Sequence, residues 1–88
     1  MSWGYSFEER ALKELKKLGA TAQRGILTYL DERVATEEDP RRFGKPLRGK
    51  LAGLWRYRAG DYRMICSVNE GKLLVLVLRV GHRRDVYG

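Results

Sequence analysis

Residues 54–68 read LWRYRAGDYRMICSV. Side chains of a strand alternate between its two faces. In the first half, Leu54, Arg56 and Arg58 fall on one face while Trp55 and Tyr57 fall on the other. In the second half, Arg63, Ile65 and Ser67 oppose Tyr62, Met64 and Cys66. Gly60-Asp61 between them is a turn signal. The stretch therefore predicts two antiparallel strands, about 54–59 and 61–68, with one face aromatic and apolar and the other carrying arginines.

Outward toward the C-terminus, Asn69-Glu70-Gly71 marks a second turn, and a third strand follows at about 72–80. Leu73 to Leu78 is apolar on both faces, which suits a central strand covered on both sides. Toward the N-terminus, Thr36 to Gly53 shows no sustained period. It contains Pro40, Gly44, Pro46, Gly49 and Gly53 among Arg41, Arg42, Lys45, Arg48 and Lys50. This is a basic loop, long enough for a small domain to suggest function, although a tolerated surface excursion fits equally well. Further out, Ala11, Leu12, Leu15 and Leu18 recur at helical spacing and end at Gly19, and Ser6 with Glu9 has capping-box spacing. Thr21 is placed to cap a second helix, striped by Ile26, Leu27, Leu30 and Val34. Only a tight antiparallel helix pair fits the short connection. Trp3, Tyr5 and Phe7 alternate as in a short first strand. The predicted order is β-α-α-β-β-β, an α+β fold with an antiparallel sheet packed against an N-terminal helical hairpin, in one domain over residues 1–88.

The 88 residues, 43% hydrophobic and 33% charged, suit one folded domain with a modest core. No apolar run approaches the roughly 20 residues of a membrane span, and the N-terminus lacks a secretory pattern, so a cytoplasmic protein without a membrane partner is expected. Cys66 is the sole cysteine, which leaves no internal disulfide and no thiolate cluster. Charge is segregated: residues 1–40 hold six Lys/Arg and eight Asp/Glu, whereas residues 41–88 hold twelve and three. All of the net +7 therefore comes from the second half, as a phosphate-binding face built from one part of the fold requires. A soluble basic surface is the plainer alternative.

Arg56, Arg58 and Arg63 project from one sheet face, with Arg79, Arg83 and Arg84 at or beyond the end of the last strand. A guanidinium binds phosphate oxygens through a planar fork and stays charged, so it can anchor a backbone or stabilise a phosphoryl transition state; it is a poor base. His82 is the only histidine, and the carboxylates lack metal-site spacing, so no metal and no cofactor is expected. Phosphate-loop, dinucleotide and nucleophile-elbow motifs are missing from the sequence. RNA carries its own nucleophile in the ribose 2′-OH, so arginines that align and neutralise can suffice. Tyr87, beside the terminal Gly88, can stack on a base or contact the sugar; an idle tail is its alternative. His82 can move a proton near neutral pH or serve as a hydrogen-bonding structural residue.

Several segments in order resemble the RelE branch of the RelE/ParE toxin superfamily. They are Phe7 to Leu18 (FEERALKELKKL), Pro46-Leu47-Arg48-Gly49, Trp55-Arg56-Tyr57-Arg58, Asp61-Tyr62-Arg63, and Val80 to Tyr87 (VGHRRDVY). The resemblance spans essentially the whole chain. It implies a strand, two helices and three antiparallel strands, together with ribosome-dependent cleavage of mRNA in the decoding site. The 2′-OH attacks, leaving a 2′,3′-cyclic phosphate and a 5′-OH. It assigns catalysis to Arg56, Arg63, Arg83 and Tyr87: Arg56 at a basic sheet position, Arg63 against transition-state charge, Arg83 near the leaving group, and Tyr87 stacking on a base. Arg41, Arg42, Lys45, Arg48, Lys50, Arg58, Arg79 and Arg84 are the expected RNA and ribosome contacts, with His82 a possible proton-transfer group. The implied partners are the 70S ribosome with its mRNA and a RelB-like antitoxin, in a toxin–antitoxin hetero-oligomer.

Two positions depart from the pattern. Arg56 stands where better-known members often carry a lysine assigned proton abstraction, and Leu54 replaces a further basic residue, which leaves the general base open. The superfamily's ParE-like branch, which binds DNA gyrase and has no nuclease site, is the alternative function; a non-catalytic basic RNA-binding module is the third.

Overall fold

The computed structural model of the protein describes residues 2–84. Strand β1 (Gly4–Phe7) leads into helices α1 (Glu9–Lys16) and α2 (Ala20–Tyr29), and α2 widens into a single π-type turn at Leu30–Val34. After an irregular stretch come β2 (Lys45–Pro46), β3 (Trp55–Ala59), β4 (Tyr62–Asn69) and β5 (Leu74–His82). The sheet order is β1-β5-β4-β3-β2. The α+β class and the meander of the last three strands stand as expected. The sheet is mixed, however: β1 runs parallel to β5 with Phe7 opposite Val77. A parallel pair cannot be joined by a hairpin, and between Phe7 and Leu74 the chain passes through the helix pair, the basic segment and β2, β3 and β4 before it returns beside β1.

β5 is central because both of its edges are used, by β1 and by β4. The helix-facing side of the sheet contributes Tyr57, Met64, Cys66, Val75, Val77 and Val80 to the core, against Ala11 and Leu15 of α1, Ile26 of α2, and Leu30 and Val34 of the π-type turn. Leu12 and Leu27, read as part of the apolar stripes, remain 38% and 37% exposed. Burial pushes the Cys66 thiol up, so it packs as a small apolar group. No helix among the described residues is long and apolar enough to cross a membrane.

Both predicted helix caps are displaced. Ser6 is held in β1 opposite Leu76, so Glu8 takes the cap position of α1 and no side chain caps it. α2 begins at Ala20, ahead of Thr21, because Gly19 at φ 87° makes the turn between the helices.

The segment read as a loop has its own order. Short 3₁₀ turns form at Pro40–Phe43, where Asp39 accepts the Arg41 N–H at 3.0 Å, and at Gly49–Leu51. Between them Lys45 and Pro46 pair with Arg56 and Trp55, adding a fifth strand. Two contacts to the buried Tyr57 hold this arrangement. Its hydroxyl donates to the Pro40 carbonyl at 3.0 Å, and its ring lies so close to Gly44 that a Cβ there would stand 3.0 Å from Cζ.

Candidate nucleic-acid interface

In an antiparallel pair, residues directly opposite one another place their side chains on the same face. The register therefore defines two rows on the side of the sheet away from the helices. One runs Lys45, Arg56, Ile65, Arg79, and the next runs Arg58, Arg63, Gly81. Simple alternation along β5 would have turned Arg79 toward the helices, since Val75 and Val77 face the core. The register shifts between Ile65 and Cys66, whose partners are Arg79 and Val77, and leaves Leu78 as an extra residue. This bulge moves Arg79 onto the arginine face and Val80 into the core. Ile65 is 3% exposed yet lies outside the main core. Its flanking positions in the row carry Arg56 and Arg79, whose aliphatic stems suit an apolar floor beneath charged heads.

The cations on this face are not equivalent. Among the described residues Lys45, Arg56 and Arg58 form no ion pair, so their charge is available to a ligand. Arg63 curls back over the β3–β4 turn and donates to the carbonyls of Gly60 and Tyr62 at 2.9 and 3.0 Å, which fixes its position at the end of the row. Arg79 is clamped by α1: its Nε donates to Glu14 at 3.1 Å and its Nη2 lies 3.1 Å from Glu14 Oε2. Glu14 also accepts the Val80 amide at 3.0 Å, an edge N–H left open where β1 pairing stops at Phe7. Burial pushes the Glu14 carboxyl up, but the bonds from Arg79 and Val80 outweigh it and leave the group below its ordinary range.

The predicted loop contacts divide in the same way. Arg41 binds both Asp39, at 2.7 Å, and Glu70. Arg42 pairs with Glu38 at 2.5 Å and lies over the Phe43 ring, its guanidinium carbon 4.3 Å from the centroid, with Arg33 at 5.1 Å from the same ring. Arg48 and Lys50 are exposed at the second 3₁₀ turn, with no ion pair among the described residues.

At the far end, the Arg83 amide donates to the Asp61 carbonyl at 2.9 Å and continues the ladder past β5, with its side chain exposed. The Arg84 amide donates to His82 Nδ1 at 3.4 Å. His82 pairs with Tyr62 in the register, and their rings meet edge to face at 5.9 Å. That places His82 on the helix-facing side, across the sheet from Arg56 and Arg63. Tyr62 also lines a groove of about 390 Å³ there, between Ala22 and Ile26 of α2 and the β3–β4 turn. Tyr87 lies outside the described residues, as does Asp85. One contributor escaped the sequence reading: Glu14 carried no signal beyond its place on α1. Lys45 was expected among the RNA and ribosome contacts of a loop, but its place in a strand opposite Arg56 was not, because two residues are too few to show a period.

The sequence family described as the ParE toxin of type II toxin–antitoxin systems, parDE, matches residues 5–87. The chain is 33% identical over 87 residues to Toxin RelG of Mycobacterium tuberculosis, covering 99% of this chain and 98% of that one. It is 35% identical over 91 residues to the mRNA interferase toxin RelE of Escherichia coli, covering 99% and 92%. Its fold superimposes on a toxin–antitoxin complex, RelBE2 of M. tuberculosis, with a TM-score of 0.85, at 30% identity, over 94% of this chain and 100% of that one. It matches isolated E. coli RelE with a TM-score of 0.69, at 30% identity, over 97% and 90%. The fold is thus that of a type II toxin. The chain belongs to the ParE-toxin family of type II toxin–antitoxin systems and, within it, to the RelE toxins.

Proposed function

We propose that this protein is a ribosome-dependent endoribonuclease that cuts translated mRNA, and that a partner antitoxin silences it. The observation that carries the reading is the convergence of Arg56, Arg58 and Arg63 on one face of neighbouring strands. Such a face can grip a ribose–phosphate backbone at successive oxygens and hold positive charge where a pentavalent phosphorane builds negative charge. The nucleophile is the substrate's own 2′-OH, and the products are a 2′,3′-cyclic phosphate and a 5′-OH. Arg56 aligns the scissile phosphate, Arg63 stabilises transition-state charge, Arg83 lies toward the leaving oxygen, and Tyr87 stacks on a base. Arg48, Lys50 and Arg58 contribute backbone contacts within the ribosome. Arg79, already engaged by Glu14, contributes less.

The relatives support the class of activity, because the E. coli protein is named an mRNA interferase. They also support the partner, because the M. tuberculosis relative was crystallised with its antitoxin. An acidic segment of an antitoxin fits the free charge of Lys45, Arg56 and Arg58, and covering that face would block RNA. Primer extension on mRNA from cells expressing the protein, run beside a gyrase supercoiling assay, tests the reading. Cuts within translated reading frames with gyrase unaffected are expected. Intact mRNA with inhibited gyrase would place the chain with the gyrase-binding branch, and intact mRNA with active gyrase would leave RNA binding without cleavage.

A further inference from the structure

We propose that Lys45 is the general base that takes the proton from the attacking 2′-OH; this rests on the endoribonuclease reading above. In-line attack requires the 2′-hydroxyl proton to leave as its oxygen bonds to phosphorus, and a guanidinium is a poor acceptor because it holds its proton throughout the working pH range. The rows on the arginine face contain Lys45, Arg56, Arg58, Arg63 and Arg79 as their ionisable members. Of these only Lys45 is an amine that can exchange a proton. His82, the proton-transfer group named from the sequence, lies on the opposite side of the sheet beside Tyr62.

The placement of Lys45 is specific. It stands directly across the β2–β3 ladder from Arg56, and such partners have Cβ atoms about 4.5–5.5 Å apart. A phosphate held by Arg56 is therefore within reach of the Lys45 amine. Four features keep it there: the Leu47 amide bonded to the Leu54 carbonyl at 2.9 Å, Pro46 paired with Trp55, the Tyr57 hydroxyl on Pro40, and the close seat of Gly44 on the Tyr57 ring. The charged side chains of the adjoining segments are Arg41 and Arg42 before it, Arg48 and Lys50 after it, and Arg56 across the ladder. Of these, Arg41 and Arg42 are already paired to carboxylates.

In the step itself, the unprotonated Lys45 Nζ accepts the 2′-hydroxyl proton while the 2′-oxygen bonds to phosphorus. The bond from phosphorus to the 5′-oxygen breaks, and that oxygen takes a proton from water. The lysine ammonium then releases its proton to solvent, which restores the base.

The test is single-turnover cleavage of ribosome-bound mRNA at saturating protein, for wild type, Lys45→Arg and Lys45→Cys. Removing a general base lowers the rate by about 10²–10⁴-fold, so both variants are expected to fall into that range although Lys45→Arg keeps the charge. Alkylating Lys45→Cys with 2-bromoethylamine rebuilds an amine at the same reach, while Cys66 is shielded by burial. The alkylated protein is expected to regain cleavage with its pH–rate rise moved to lower pH, because the thioether sulfur makes the new amine more acidic. Lys45→Arg cleaving at the wild-type rate, or alkylated Lys45→Cys remaining as slow as the unmodified variant, overturns the assignment of Lys45 alone. Wild-type protein that leaves ribosome-bound mRNA intact overturns this assignment together with the nuclease reading.

Discussion

Glu14 of α1 holds Arg79 of β5, and with it the Val80 amide, at the rim of the sheet where β1 pairing has ended. One carboxylate thus closes an open strand edge, ties the helix layer to the arginine face and sets how far Arg79 can swing. The folded Glu14 sits below its ordinary value of 4.5. Its contribution to folding is therefore complete above that value and fades as pH falls through the lowered folded value. Glu14→Gln should cost about 1–2 kcal/mol near neutral pH, allowing for its partial exposure. Urea unfolding followed downward from about pH 6 should show wild type and variant converging as the acid limb is reached. A separation that stays constant with pH would contradict this.

Arg58 and Arg63 face each other directly on β3 and β4. Like charges in that relation destabilise a sheet by up to roughly 1 kcal/mol. Arg58→Ala should therefore raise the unfolding midpoint slightly while weakening binding to ribosomes. Arg63→Ala should keep the fold and slow cleavage by about 10²–10³-fold, the usual loss when one transition-state stabiliser is removed. Circular dichroism melts and cleavage rates on the same preparations check both. Wild-type cleavage by Arg63→Ala would remove it from the mechanism.

Gly44 tests whether β2 positions function or merely fills an edge. A methyl at this site would meet Tyr57 Cζ at 3.0 Å and Trp55 Cε3 at 3.3 Å. Both rings belong to residues of β3, so β2 must move away. Gly44→Ala should cost about 1–3 kcal/mol and reduce cleavage by more than its stability loss explains, because Lys45 shifts relative to Arg56. Activity measured well below the variant's melting temperature should remain depressed; full activity there would reduce β2 to packing.

The loop cations should separate by their existing partners. The double variant Arg48→Ala with Lys50→Ala should lessen the dependence of ribosome affinity on salt, by about 0.7–0.9 in log–log slope for each phosphate that is no longer neutralised. Arg41, held by Asp39 and Glu70, should behave differently. Arg41→Ala should leave the slope alone and lower the unfolding midpoint. Binding measured across a salt series settles which cations touch phosphate, and an unchanged slope in the double variant would make this turn a connector.

What the sequence disclosed follows from the range of its signals. The alternation in residues 54–68 placed Arg56, Arg58 and Arg63 together because period two repeats over enough residues to fix a face, and the register agrees. The helix pair was readable from its apolar spacing. β2 was not, since two residues cannot display a period and the strand exists through tertiary contacts with Tyr57 and Trp55. The parallel pairing of β1 depends on where the chain returns, which no local pattern encodes. The bulge at Leu78 falls at the end of the apolar run Leu73–Leu78, in which every position is apolar and period two cannot be read, so nothing in the composition marks the residue at which inside and outside exchange. His82 illustrates the same limit: its chemistry suggested the site, and only the register shows that it faces the other way.

The nuclease reading is tested most directly by the ends of an RNA. A 5′-labelled mRNA is placed on purified 70S ribosomes with the protein and no added antitoxin, beside the same mRNA without ribosomes. The predicted result is cutting only when ribosomes are present, with a 2′,3′-cyclic phosphate on the upstream fragment and a free 5′-hydroxyl on the downstream one. Uncut RNA on ribosomes, or equal cutting without them, would contradict it.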